Sequence, residues 1–480
     1  MKKIKPQYFL FFLIPLISFS QTNTFSPYSR YALGELNQPT FAHNTGMGGA
    51  YIALKPDSTM PIFINAGNPA AYALIKLTSL EVGGSFLYSQ FKGKNSALTK
   101  YTANFSYGAL GFPVRSRGGA CFGLMPYTNV GYDLKASSPD VNAGGDINFL
   151  YNGSGGLNKV FAGYGVLPFA DALKKFKKNR LYIPDSARTL SKNQFKLREF
   201  GSKVLSDFSI GFNVNYIFGS IENTSRVVYP NSLLYNNTFR SGRISMGDFT
   251  GNFGMQTAIS IDSVKSKTKA GRRVLKEKVK FTFGYFMALN NALKVNYDNT
   301  IYNYILNGFG QEIIRDTVLY KVNQKSTITL PLEQGFGIGF KKGERISAVA
   351  DFAITNWQNF KFLENTSSLK NNYRIAAGIN FVPQKYAAGS NAFAKKINYR
   401  FGVSYQTGYI ELQNSTLSNY AATLGFGLPV GIGRLSSMVN IALQVGQTAT
   451  TNSALIKENY FRVNFGFTFS DRWFQKFKYD

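Results

Sequence analysis

The chain has almost none of the residues on which many sites are built. It contains one cysteine, Cys121, and one histidine, His43, in 480 residues. A disulfide-stapled secreted fold is therefore excluded. A histidine-based metal centre, or a Ser/His/Asp set placed anywhere but around His43, has nothing to work with. Tryptophan occurs twice, and charged residues make up only 16% of the chain, against roughly 25% in soluble domains. Acidic residues are scarce, 25 against 54 Lys+Arg, for a formal charge of +29. Long apolar runs are missing outside the N-terminus, which excludes a bundle of transmembrane helices. What is abundant is Phe (43), Tyr (29) and Gly (46), with 44% hydrophobic residues, too many for a disordered chain. The profile leaves an all-β protein, either large and soluble or a membrane barrel.

The N-terminus speaks to compartment. Lys2, Lys3 and Lys5 precede an apolar stretch from Tyr8 to Ile17, and Ser18 and Ser20 supply small residues at the −3 and −1 positions. This predicts a secretory signal peptide, residues 1–20, cleaved before Gln21. Its loss lowers the formal charge to +26. Export removes nucleic acid as a partner despite the basic pI. The surplus positive charge fits two accounts equally: contact of basic rims with lipid headgroups and lipopolysaccharide phosphates, or a lysine-rich genome with no functional consequence.

Alternation with a period of two dominates the rest. Phe461, Val463, Phe465, Phe467 and Phe469 interleave with Arg462, Asn464, Gly466 and Thr468; Phe208 to Phe218 interleave with Ser209, Gly211, Asn213 and Asn215. Each run has one apolar face and one polar or glycine face. Fourteen such runs lie near 78–91, 100–113, 118–134, 154–167, 206–220, 248–262, 276–290, 327–340, 344–357, 370–383, 396–410, 418–429, 436–449 and 458–469. At about 10–14 residues they exceed ordinary globular strands and suit a tilted bilayer crossing. A sheet in lipid must close on itself. The expected fold is thus an all-β transmembrane antiparallel β-barrel of about fourteen strands over residues 78–470. If the first run goes outward, the periplasmic turns at 115–118, 341–344 and 431–436 are tight, and the longest outer connections are 221–247 and 291–326. One stretch resists this parity: the basic insertion 169–205, with Lys174, Lys175, Lys177, Lys178 and Arg180 and a possible helix over 170–178. A short tail, 471–480, follows the last strand.

Residues 21–77 do not alternate and are rich in Gly and Pro, which favour turns and close backbone approach. Ahead of a closed barrel, such a segment is expected to fill the lumen as a plug. Within it stand Gly46-Met47-Gly48-Gly49-Ala50-Tyr51-Ile52-Ala53 and, about twenty residues on, Asn68-Pro69-Ala70, just before the first strand. Over residues 43–82 this resembles the N-terminal region of FadL-type outer-membrane transport proteins, which include long-chain fatty-acid and aromatic-hydrocarbon transporters. The resemblance implies a fourteen-stranded barrel closed by an N-terminal hatch, with Asn68, Pro69 and Ala70 inside it. It also implies a kinked third strand opening sideways to the membrane. Pro126 falls in the third run, where a missing ladder donor marks an edge, bulge or break; a kink with an opening and an ordinary strand-end bulge are both open.

Arg374, Arg400 and Arg462 occupy polar-face positions and are expected to point into the lumen. They can meet a ligand carboxylate, or pair with inward acids such as Asp351 and Glu81, or with the plug backbone. Cys121 is expected to be buried and inert, and His43 to be a turn residue. Gly153 to Gly156 lack the strand–loop–helix setting of a phosphate loop. No metal, cofactor or enzymatic set is expected. The functional expectation is passive uptake of small hydrophobic, fatty-acid-like molecules across the outer membrane of a Gram-negative bacterium, through an apolar pocket beneath the outer loops. The alternative is a non-transporting barrel that partners other envelope proteins in a secretion or assembly complex.

Overall fold

The structure is a computed structural model that describes residues 23–56, 63–94, 97–115, 117–172, 174, 192–230, 235–262, 278–363, 365–366, 369–387, 389, 392–432, 435–450, 452 and 454–471. The signal peptide, Lys175, Lys177, Lys178, Arg180 and the tail beyond Asp471 lie outside the described residues.

Fourteen strands form one closed antiparallel ladder. They are β1 (Thr78–Lys92), β2 (Ala97–Val114), β3 (Gly118–Asp140), β4 (Gly145–Val166), β5 (Ser209–Val228), β6 (Asn237–Asp262), β7 (Lys278–Ala288), β8 (Glu333–Lys342), β9 (Ile346–Thr355), β10 (Asn372–Phe381), β11 (Asn398–Gln406), β12 (Ser418–Ile432), β13 (Leu435–Ala449) and β14 (Lys457–Asp471). Every one contains or overlaps an expected run. The ring closes between β14 and β1, in register from Thr78 opposite Asp471 to Lys92 opposite Lys457. Closure joins the first strand to the last, so the sheet has no free terminal edge in lipid.

The two faces of each strand separate as the alternation requires. On β14, Phe461, Phe465, Phe467 and Phe469 are exposed on the outer wall, while Thr468 and Ser470 are buried inward. On β5, Phe212, Val214 and Tyr216 face out, and Asn213 and Asn215 are buried inside. Outward aromatics with inward small or polar side chains are the mark of a barrel that sits in lipid.

Two connections differ from expectation. Residues 221–247 are largely strand: β5 runs on to Val228 and β6 begins at Asn237, in register from Ser209 opposite Gln256 to Val227 opposite Thr238. Residues 291–326 hold a hairpin, Ala292–Leu306 with Glu312–Thr329, whose first arm pairs with the upper part of β6. Above the lipid band the outer face no longer needs apolar residues and only a few inward positions such as Ile221, Ile244, Met246 and Leu293 remain apolar, so the alternation weakens and these segments read as loops. The wall is therefore tall over β3 to β6 and short over β8 to β11. The described parts of the insertion between β4 and β5 lie at the rim where β1 begins. Its described helix is Lys192–Ser206, tied to β6 by a Thr257 hydroxyl donating to the Val204 carbonyl (2.9 Å), and the expected helix over 170–178 falls largely outside the described residues. The strand count is unaffected.

The N-terminal segment fills the lumen. It carries three short helical turns, Pro27–Arg30, Ala42–Thr45 and Pro69–Leu74, and a two-residue strand, Glu35–Leu36. Phe41, Met47, Ala50, Tyr51, Ile52, Ile64, Ala70 and Tyr72 are all buried there. His43 lies on the middle of these turns and is buried.

Candidate functional site

The plug is seated by backbone contact. Glycines on the inward faces of the strands leave room for it: a Cβ on Gly402 would fall on the Gly48 nitrogen, one on Gly378 on Met47, and ones on Gly165 and Gly211 on the Pro69 carbonyl. Gly48 itself has φ +70 and lies against the Val403 and Ala377 carbonyls, a conformation and spacing that only glycine accommodates cheaply.

Buried barrel side chains then satisfy plug amides that would otherwise be orphaned. The Asp351 carboxylate on β9 accepts from three successive plug amides, Tyr51 (2.5 Å), Ile52 (2.7 Å) and Ala53 (3.4 Å). Glu81 on β1 accepts from the Ile64 amide (2.6 Å). Gln256 on β6 donates to the Ile52 carbonyl (2.8 Å). Arg374 on β10 donates to the Gly49 carbonyl and lies over the Tyr51 ring, 5.5 Å from its centre. Asn68 caps the turn after it, accepting from Ala70 (3.1 Å) and donating to the Ile52 carbonyl (2.7 Å) and to Tyr285 on β7 (3.3 Å). The two acids named in the sequence thus hold plug amides rather than arginines.

Electrostatics inside the plug follow burial. His43 Nδ1 lies 3.7 Å from Glu81. Burial, helped by the Arg400 guanidinium, holds its pKa well below the ordinary histidine value, so the contact is polar rather than an ion pair. The ring bears no hydrogen-bond partner on either nitrogen among the described residues. Lys55, at the lower edge of the plug, donates to the Asp207 carbonyl (2.7 Å), and burial lowers it to about 7 against the opposing pull of Asp207.

Above the plug the lumen divides. On the side of β3 to β6 and the hairpin it is filled by an apolar cluster: Leu33, Val130, Leu157, Ile217, Ile221, Leu293, Ile328, Trp357 and Phe360 among others. The Trp357 ring stacks on Tyr409 at 4.3 Å. The apolar pocket expected beneath the outer loops is therefore occupied by the protein's own side chains. On the other side lies a cavity of about 420 Å³. Its floor is Thr45, Gly48 and Gly49, and its walls include Arg374, Arg462 and a set of Asn and Gln side chains. Arg400 does not reach it. That guanidinium is buried beside Gly46, donating to Asn380 (3.2 Å) and Asn440 (2.8 Å). Arg462 is half-buried, 3.9 Å from Glu35. Cys121 is buried in the cluster that packs the lower plug.

The cavity reaches the wall at the β2–β3 seam. These strands have 18 and 23 residues but pair only from Gly108 opposite Leu124 to Val114 opposite Gly118. The ladder stops two residues before Pro126, which has no N–H to offer, and the β3–β4 register shifts between Pro126 and Thr128. Beyond that point β3 pairs instead with Glu35–Leu36. Phe105, Met125 and Pro126 line the cavity where the strands part. Through Gly84, Phe105 is level with Phe465, in the middle of the outward aromatic band.

A closed fourteen-stranded barrel, aromatic outside and occluded by its own N-terminal segment, defines an outer-membrane β-barrel of the plugged kind. The chain belongs to the BamG family, whose model matches residues 1–173 and 193–480. The architecture expected from the FadL-type resemblance is observed, while the family that matches carries a different name. No curated protein matches the chain. Among solved structures, the chain is similar to the toluene transporter TbuX of Ralstonia pickettii (11% identity, 90% of this chain and 99% of that one, TM-score 0.49). It is similar also to the toluene transporter TodX of Pseudomonas putida (12%, 92% and 100%, 0.49). A Pseudomonas aeruginosa FadL homologue is a further similar structure (13%, 91% and 98%, 0.46).

Proposed function

We propose that the barrel mediates passive uptake of small hydrophobic, fatty-acid-like molecules, which leave the lumen sideways into the membrane. The observation that carries this reading is the parted β2–β3 seam, where a lumenal cavity meets the lipid-facing band at Phe105 and Pro126. Passage straight through is opposed by the plug, whose amides are held by buried Asp351 and Glu81. On this reading Gly46, Gly48, Gly49, Asn68, Pro69 and Ala70 keep the lower lumen shut, Pro126 ends the seam, and Arg374 and Arg462 face the passing molecule. Basic rim residues would rest against lipid and lipopolysaccharide phosphates. Uptake of a labelled fatty acid into proteoliposomes tests it: Ser106→Trp, which fills the cavity beside the seam, is expected to lower the rate at least five-fold. Unchanged uptake sinks the reading.

A second reading, a partner or scaffold in an envelope complex, is favoured by the hairpin Ala292–Leu306/Glu312–Thr329. It stands off the rim with Ile313, Ile314, Val318 and Tyr320 exposed, an apolar display that usually marks an interface. Mild-detergent purification at native expression separates the readings. A stoichiometric partner that is lost when residues 297–324 are replaced by a short turn supports the second. A lone barrel carrying lipid supports the first.

A further inference from the structure

The chemistry of the cavity wall differs from what a purely greasy ligand would need. Leu87, Phe105, Met125 and Pro126 give it an apolar side at the seam, and Leu36, Ile410 and Leu417 add apolar contacts elsewhere on the wall. Away from the seam amide and hydroxyl side chains predominate, with Arg374, Arg462, Glu35 and Glu458 among them. Among the described residues, four polar atoms of that lining are buried with no hydrogen-bond partner: Asn37 Nδ2, Asn104 Oδ1, Asn464 Nδ2 and Arg374 Nη1. Three are donors and one an acceptor, and buried polar groups are normally satisfied by something.

The charges of the cavity balance. Arg462 faces Glu35 at 3.9 Å, Arg374 is committed to the plug at Gly49, and Glu458 accepts from the Ser89 hydroxyl (2.9 Å). A carboxylate or phosphate entering here would gain Arg462 only by meeting Glu35 and Glu458 as well. Three tyrosines on the wall have their hydroxyls already engaged: Tyr28 donates to the Ile456 carbonyl (2.7 Å), Tyr409 to the Gly34 carbonyl (3.0 Å) and Tyr460 to Asn419 (3.0 Å). Their rings are thereby fixed, and a fixed ring face suits the C–H face of a sugar. A volume of about 420 Å³ lies in the range of small-molecule sites.

We infer that the lumenal cavity binds the uncharged, hydroxyl-rich head of an amphiphile, a glycolipid-like molecule whose chain lies in the β2–β3 seam. The head lies against the amide wall formed by Asn37, Asn104 and Asn464, whose side chains turn to meet it, and the chain passes Phe105 and Met125 to the lipid. This rests on the sideways-access reading and narrows its ligand.

Isothermal titration of the intact protein in nanodiscs tests it, with octyl glucoside, octanoate and free maltose as probes, each below any micellar concentration. Octyl glucoside is expected to bind at least ten-fold more tightly than octanoate. The double variant Asn104→Leu, Asn464→Leu is expected to lose about ten-fold for octyl glucoside and nothing for octanoate, while its folded barrel still migrates fast on unheated gels. Octanoate binding as tightly as octyl glucoside overturns the uncharged head and leaves sideways passage standing. Maltose binding as tightly as octyl glucoside overturns the amphiphile. Silence of all three probes overturns the inference alone if fatty-acid uptake persists, and both readings if it does not.

Discussion

Asp351 shows how one wall residue holds a stretch of the plug. Its carboxylate is buried and faces three consecutive amides of the plug. An asparagine there offers one acceptor oxygen and turns an NH2 group toward amide donors. Leaving buried donors unmet costs roughly 1–3 kcal/mol each, so Asp351→Asn is expected to raise amide exchange across residues 50–54 by at least ten-fold. Hydrogen-exchange mass spectrometry reads this directly, and the barrel strands should be unaffected. Lys55 gives a pH dependence of definite sign. Its folded pKa is lowered to about 7, against about 10.4 in an unfolded chain. Between those values the released segment binds more protons than the docked one, so docking strengthens as pH rises from about 7 toward 10 and the penalty is full below about 7. Limited proteolysis of the plug should be faster at pH 6.5 than at pH 9.5, and Lys55→Met should flatten the difference. At this scale the sequence was only partly legible. The inward direction of Arg374, Arg400 and Arg462 followed from strand parity. Which of them meets the cavity did not, because that depends on how far each sits from the plug: Arg400 is covered by Gly46, and Arg462 is not.

Among the elements, the strands that cross lipid were readable and those above it were not. Lipid forces apolar residues onto every second position, as in Phe461 to Phe469, and that constraint writes itself into the sequence. The second arm of the 292–329 hairpin answers to water on both faces over most of its length, and the first alternates only at its base, where Leu293 and Val295 turn inward. The apolar cluster around Trp357 and Phe360 was hidden because its members come from the plug, four strands, the hairpin and a loop, and no local stretch announces it. Since that cluster joins the hairpin base to the plug through Leu293, Ile328 and Leu33, Leu293→Ala is expected to destabilise the hairpin base by roughly 2–5 kcal/mol, the usual loss for a fully buried leucine. Protease cleavage within the hairpin, measured against an intact barrel, reports it.

For the whole molecule, barrel and plug divide the work of stability unequally. The ladder from β1 round to β14 closes without using any plug residue, whereas the described plug residues are held by the wall and by the hairpin and loops above it. The plug's turns of four to six residues are too short to persist alone, and its buried polar groups are matched to Asp351, Glu81, Gln256 and Arg374 on the strands. Removing residues 21–70 is therefore expected to leave a folded, heat-modifiable barrel. It would also uncover a ring of inward polar and charged side chains, Asp351, Glu81, Asn213, Asn215 and Arg374, in place of the plug. Such a lumen wets, because charges and amides that lose their protein partners recover hydrogen bonds only from water. The intact protein should show no stepwise conductance in planar bilayers, and the shortened one discrete ion-conducting steps. A shortened barrel that folds yet stays silent would mean that the apolar cluster at the far mouth, rather than the plug, is what shuts the lumen.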